Sequence, residues 1–358
     1  MGTRRRRVSV IRSRSKPVKW DDLRMEFISK CTADTISNAA KALKDGHLVA
    51  FPTETVYGLG ADATNKKAVS RIYSVKGRPS DHPLIVHISS INKLEDWATD
   101  IPDYAIKLAR EFWPGPMTLI LPRTDLANDF ITGGQNNVGL RIPAQPIALA
   151  LLKKFEEIGG HGIAAPSANR FGAVSPTTAE DVGEELGEYL DSTDLVLDGG
   201  QSLVGIESTI IDCTGKSPRI LRPGAITEEM IEQAIEKNVE ILAGKSEVKA
   251  PGLLDSHYAP KALISLNSFA EPGEGFLALS KFQTPAGAIR LASPGSVEQY
   301  ARDLYSALRS ADHQGLKKVA VLPPEGSGLA KAIRERLSRA SKTMLNYENS
   351  ATNIYSLD

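Results

Sequence analysis

Thr53, Glu54, Thr55 and Tyr57 follow directly on an apolar run, Leu48 to Phe51, that Pro52 brings to a stop, and Gly58 and Gly60 come next. A strand end that opens into hydroxyls, an aromatic ring and glycines makes a binding rim. Further on, Lys76 and Arg78 flank Gly77 on a turn stiffened by Pro79, and the segment continues through His82 and Pro83 to Leu84, Ile85, Val86 and His87. Lysine supplies a point charge and arginine a planar fork of donors. Two such cations beside a Thr/Tyr/Gly rim suit a polyanionic ligand; a solvated basic loop is the plainer reading of the same turn. The chain has no Gly-x-x-x-x-Gly-Lys-Ser/Thr run, so a nucleotide would not be held in P-loop fashion.

Five later segments set polar groups among apolar ones: Trp113-Pro-Gly-Pro-Met-Thr118-Leu, Val138-Gly-Leu-Arg141-Ile-Pro143, Ala165-Pro-Ser167-Ala-Asn169, Gly205-Ile-Glu-Ser208-Thr209 and Arg222-Pro223-Gly224. Arg141, between apolar strand residues, is costly to bury unpaired, so it calls for an anionic ligand or a nearby Asp or Glu. His87 at a strand end reads either as a ligand contact or as a satisfied core histidine. In order and spacing, these five blocks and the two before them resemble the YrdC/Sua5 family of L-threonylcarbamoyladenylate synthases, its long, Sua5-type members in particular.

The resemblance implies that L-threonine, bicarbonate and ATP give threonylcarbamoyl-AMP and pyrophosphate, a nucleotidyl transfer. The product would serve t6A formation on tRNA by a separate transferase machinery. It further implies L-threonine contacts at Thr55, His87, Arg141 (to the carboxylate), Ala165 and Ser208. ATP would fall to Lys76, Arg78, His82, Asn137, Ser167, Asn169, Ser175, Arg222 and Tyr258. Tyr258 would close over the site from a linker as a lid; a hinge tyrosine packed on the domain surface is the alternative. Mg²⁺ is expected with the ATP, carried by phosphates and water rather than by a protein cage. Three positions depart from the family pattern, all on the nucleotide side: His82 stands where Asn is usual, Asn137 where Thr is usual, and Arg170-Phe171-Gly172 where a Ser-Gly follows.

Elements to position these groups are legible. Helices are expected at Asp34–Leu43, ended by Gly46, and from Lys66 to Val75, capped by Asn65. Strands at 84–88, 117–121, 138–142, 163–165, 195–197, 208–212 and 219–221 alternate with helices at 104–112, 147–155, 179–189 and 228–236. That alternation predicts an α/β fold, a twisted, open, mixed sheet with helices against it. Residues 244–262, with Pro251, Gly252, Leu253 in place of the family's Met, and His257-Tyr258-Ala-Pro260, read as a linker. Strands at 276–279, 288–291 and 318–322 with helices at 297–310 and 329–340 then make a smaller Rossmann-like unit. The expected organisation is a basic extension over 1–25, a YrdC-like catalytic domain over 26–243, the linker or lid over 244–262 and a C-terminal domain over 263–358. Gly273-Glu-Gly275 precedes a strand and is discounted as a dinucleotide loop; Gly326-Ser-Gly328, between strand and helix, reads as a short turn.

With 358 residues and 41% hydrophobic content, two cores are affordable, and no apolar run reaches the eighteen or more residues of a membrane span. Formal net charge is zero, yet residues 1–19 hold Arg4, Arg5, Arg6, Arg7, Arg12, Arg14, Lys16 and Lys19 and no acid, which leaves an acidic body. A body of that sign is no general nucleic-acid binder, so any RNA contact would be weak and local. The tail reads as a disordered extension ahead of Met25, as an RNA contact, or as an organelle presequence. Isolated Cys31 and Cys213 fit a reducing, cytoplasmic compartment. Two other functions make different demands on the sequence. An RNA-binding module would need cations along a track. A carbamoyl transferase of the hydrogenase-maturation type would carry Cys clusters and an acylphosphatase unit, and this chain has neither.

Overall fold

The computed structural model describes residues 28–241, 248–251 and 258–342. The basic tail, Leu253 and His257 lie outside the described residues, as does much of the linker.

Local signals start and stop the first two helices, Gly46 and Asn65 in the roles expected of them. Thr32 closes a capping box with Thr35 ahead of the helix Ala33–Lys44, and Gly46 follows its end at φ 90°. Asn65 accepts from the backbone N–H groups of Lys67 and Ala68 to open the helix Lys66–Lys76. Gly77, at φ 62°, ends that helix in the left-handed region and swings the chain toward Arg78.

The first eleven strands are β1 (Ile28–Lys30), β2 (Val49–Phe51), β3 (Gly58–Asp62), β4 (Ile85–His87), β5 (Met117–Pro122), β6 (Asn137–Arg141), β7 (Ile163–Ala164), β8 (Leu195–Asp198), β9 (Thr209–Asp212), β10 (Arg219–Arg222) and β11 (Glu240–Ile241). Among the described residues they form one sheet in the order β1-β8-β2-β3-β7-β4-β6-β5-β9-β10-β11. Parallel and antiparallel neighbours alternate irregularly, so the sheet is mixed, as the sequence led us to expect. On one side, Ala39, Ala40 and Leu43 of the first helix join Leu151, Leu152 and Phe155 of the helix Pro146–Glu157 over β2.

Short elements at Ile28–Lys30, Leu94–Trp97, Asp129–Thr132, Glu240–Ile241 and Leu263–Leu266 were not foreseen, and one stretch beside the site differs from the sequence reading. Gly58-Leu-Gly-Ala-Asp62, read as an opened rim, is a strand, antiparallel to β2 and to β7. Glycine is needed there for closeness: a Cβ on Gly60 would stand 2.7 Å from Ile163 Cγ2 and 2.9 Å from the Phe51 ring. The rim itself is confined to residues 52–57.

The remaining strands, β12 (Leu263–Leu266), β13 (Gly275–Leu277), β14 (Ile289–Ala292) and β15 (Lys318–Val321), form an all-parallel sheet in the order β12-β15-β13-β14. The helices Val297–His313 and Leu329–Ser341 complete this Rossmann-like unit. Its core reaches into the first sheet's territory: Val56, Val174 and Ile206 cluster with Tyr258, Tyr305, Leu308 and Ile333. Gly205, at φ 79°, marks how closely the two units meet, because a Cβ there would lie 2.4 Å from Cα of Arg302. No described helix is long and apolar enough to cross a membrane.

Candidate active site

Strand register does the first assembly step. Parallel pairing of β4 and β6 sets His87 beside Arg141. Beyond β7 the chain is held against the rim, where Leu59 N–H donates to Pro166 O (2.9 Å), Ala168 N–H donates to Tyr57 O (2.8 Å) and Gly58 bridges Ser167. The result is a cleft of about 630 Å³, open mouth included. All five residues matched to L-threonine (Thr55, His87, Arg141, Ala165 and Ser208) line it. Lys76, Arg78, Ser167, Arg222 and Tyr258 line it too.

The cations are not equivalent. Arg78 is 8% exposed, gives one bond, Nη2 to Pro83 O at 3.0 Å, and leaves its Nε buried without a hydrogen bond. Burial pulls its pKa down to about 10, and no described carboxylate pairs with it. The ring of Phe171 lies 5.8 Å from the guanidinium. A buried, unneutralised guanidinium opening on a cleft is poised to take an anion. Lys76, in contrast, donates to Ser167 O at 2.6 Å and to Asn169 O. Burial, reinforced by the charge of Arg78, pushes its pKa well down. It therefore ties the 167–169 loop to the end of the helix, with at most one donor left for a ligand.

Of the two partners its sequence context allowed, Arg141 has the carboxylate. Its Nη2 pairs with Glu54 Oε1 at 2.6 Å and its Nε donates to Gly115 O at 3.3 Å, while Nη1 makes no hydrogen bond among the described residues. Glu54 in turn accepts from the Ala144 N–H at 3.0 Å. Arg222 gives Nε and Nη2 to Ser208 O and Nη1 to Pro251 O. Its Nη2 also reaches Ser208 Oγ at 3.1 Å, and that hydroxyl meets Thr118 Oγ1 at 2.8 Å. On the rim, Thr55 Oγ1 is 2.8 Å from Thr53 Oγ1.

His87 is buried, edge-on to Phe51, with Nδ1 lacking a hydrogen bond. Burial first, and Arg141 second, lower its pKa from 6.5 to about 3, against a smaller opposing pull from the Ile163 and Ile85 carbonyls. The folded state thus prefers the neutral ring. Its contribution to stability is complete above pH 6.5 and is lost as pH falls toward 3. Replacing His87 by Gln is expected to flatten that acid limb, read as unfolding free energy against pH from 7 down to about 4; an unchanged limb would mean the ring is protonated in the fold.

Four matched residues stand off the cleft wall. His82 is edge-on to Phe171 at 5.4 Å, one shell back. Asn137 lines a smaller neighbouring cavity with Thr118, Lys249 and Pro251. Asn169 donates its amide to Arg170 O and Ala173 O and keeps Oδ1 buried without a hydrogen bond. Ser175 donates to Glu207 Oε1 at 2.7 Å. Tyr258, 1% exposed, lines the cleft and stacks on Tyr305 at 5.9 Å. Sequence reasoning missed Glu54 as the partner of Arg141, and Phe171 and Glu207 as wall residues. An acid set between Ile206 and Ser208 was the available signal for Glu207.

Two family models match the chain. The Sua5, yciO and yrdC model, described as "Telomere recombination", covers residues 41–224, and that of the threonylcarbamoyl-AMP synthase C-terminal domain covers 226–342. A threonylcarbamoyl-AMP synthase of Pyrococcus abyssi is 41% identical over 325 residues, 85% of this chain and 93% of that protein. A Bacillus subtilis protein of the same name is 39% identical over 328 residues, 86% and 92% of the respective chains. Among solved structures, Pyrococcus abyssi Sua5 complexed with L-threonine has a TM-score of 0.79 at 37% identity, covering 88% of this chain and 96% of that one.

Proposed function

Since the chain belongs to the Sua5/YrdC family of threonylcarbamoyl-AMP synthases, we propose that its cleft joins L-threonine, bicarbonate and ATP into threonylcarbamoyl-AMP, releasing pyrophosphate. One observation carries the reading: ten side chains matched to the family, dispersed from Thr55 to Tyr258, converge on a single cleft.

The threonine amine forms a C–N bond to the carbon of bicarbonate as a C–O bond breaks and water leaves (or adds to the derived carbon dioxide with loss of a proton), and the resulting carbamate oxygen attacks the α-phosphorus of ATP. The bond from that phosphorus to the bridging oxygen breaks, and pyrophosphate carries the electron pair away. No covalent enzyme intermediate is needed, so positioning and charge stabilisation do the work. Arg141, fixed by Glu54, offers its remaining nitrogen to the threonine carboxylate, and Ser208 and Thr55 stand within the same wall. Neutral His87 can accept a hydrogen bond from the amine through the Nδ1 that has no partner in the fold. Arg78 meets the triphosphate, while Lys76 and Arg222 brace the loops around it. Glu207, the acid on the described wall, is already bound by protein donors, so Mg²⁺ would be carried by phosphate oxygens and water.

In this reading the chain is a nucleotidyltransferase acting in the cytoplasm, where Cys31 and Cys213 stay as thiols, and its product feeds a transferase that modifies tRNA. An RNA-binding module is less well served. The cleft's cations are buried and hydrogen-bonded to carbonyls, whereas a backbone track needs them exposed. The test is pyrophosphate release from ATP and bicarbonate, with L-threonine present or omitted and serine as a control. Release that requires threonine and bicarbonate is expected; release indifferent to threonine would sink the assignment.

A further inference from the structure

Glu207 lines the cleft beside Ser208, but its carboxylate is held from the second domain. Tyr305 Oη lies 3.1 Å from Oε1 and 2.9 Å from Oε2, and Arg336 Nε donates to Oε2 at 2.8 Å. Ser175 supplies the remaining donor, to Oε1. Arg336 is completely buried. It is balanced on its other side by Glu335, and its Nη2 donates to Pro223 O at 3.0 Å. Its guanidinium sits 5.4 Å from the ring centroid of Tyr258, which stacks on Tyr305.

The placement of these anchors is what separates them from an ordinary interdomain ion pair. Both attachment points of Tyr305 and Arg336 on the first domain adjoin in the chain a residue of the cleft wall: Glu207 beside Ser208, and Pro223 beside Arg222. Burial alone would raise the pKa of Glu207, but Arg336 and then Arg222 overcome it and hold the carboxyl at about 2. The carboxylate is therefore charged at neutral pH, and its position depends on donors from residues 305 and 336.

We propose that Arg336 and Tyr305 are positioning residues of the synthase site: by clamping Glu207 and the Pro223 carbonyl they set Ser208 and Arg222 on the cleft wall. The second domain is then a working part of the site. The inference rests on the proposed function, whose cleft it completes.

The experiment compares full-length Arg336→Met, Arg336→Lys and Tyr305→Phe with the parent chain. It measures kcat, separate KM values for L-threonine and ATP, calorimetric binding of each substrate, and melting. Tyr305→Phe removes one hydroxyl from an unchanged ring stack, so it is expected to melt close to the parent. The same variant is expected to lose about threefold to tenfold in kcat/KM. Arg336→Met should lose about a hundredfold, because it leaves a buried carboxylate unpaired, and Arg336→Lys should recover part of that. Should Arg336→Met fail to fold, Tyr305→Phe decides. Parental kcat/KM in Tyr305→Phe, or losses in the Arg336 variants that only follow melting temperature, would overturn the proposal. If the parent itself releases no threonine-dependent pyrophosphate, the functional reading fails separately. Calorimetry then judges the clamp, with weakened substrate binding in Tyr305→Phe supporting it and unchanged binding overturning it.

Discussion

Arg141→Met is expected to cut threonine-dependent pyrophosphate release at least about a hundredfold and to lower stability by about 3–5 kcal/mol, because it strands a buried charge. Arg141 and Glu54 are 4% and 7% exposed and pair at 2.6 Å. With the guanidinium gone, Glu54 keeps the Ala144 N–H but loses its counter-charge. The double variant Glu54→Gln/Arg141→Met distinguishes structure from ligand binding. Removing both charges should restore most of the stability, read by chemical denaturation, and none of the activity. A double variant that regained activity along with stability would reduce Arg141 to a scaffold residue.

Arg78→Ala is expected to do the reverse to stability while still harming catalysis. Loss of a charge-assisted contact to the triphosphate is worth about 1.5–3 kcal/mol, roughly ten- to a hundredfold in ATP KM or turnover. The folded chain, though, gives up the bond to Pro83 O and the contact with the Phe171 ring, and is relieved of a buried cation with an unsatisfied Nε. The melting temperature should hold or rise. Normal ATP kinetics in this variant would remove Arg78 from the site, and a marked fall in stability would show that its charge is compensated within the fold. Two arginines of one cleft thus separate by the sign of their stability effect. The difference follows from one having a carboxylate partner and the other lacking any among the described residues.

What could be read from the sequence was whatever is encoded locally. The Asn65 cap, the Gly46 stop and the apolar segments that became β4, β5, β6 and β9 all follow from short-range pattern. The residues that line the cleft were recognisable as motifs, each confined to one segment. Pairings across the chain were not legible, because they depend on register. Glu54 reaches Arg141 only because the rim leaving β2 runs beside the end of β6, and Glu207 meets Arg336 only once the second domain docks. β3 escaped for a different reason: its glycines look like a loop, yet they are there so that Phe51 and Ile163 can close over the backbone. His82 and Phe171, flagged as separate departures from the family pattern, turn out to be in ring contact. They are better regarded as one substitution than as two, a neighbourhood that spacing along the chain could not reveal.

The close approach at Gly205 bears on how the two halves of the molecule fit together. A methyl group there would sit 2.4 Å from Cα and 2.6 to 2.8 Å from the carbonyl oxygens of Ala301 and Arg302, so the halves meet main chain to main chain. Flexible side chains at a boundary yield gradually under load, but backbone seated in a fitted groove has no partial setting. Any side chain at position 205 would therefore push the two halves apart rather than be absorbed where they meet.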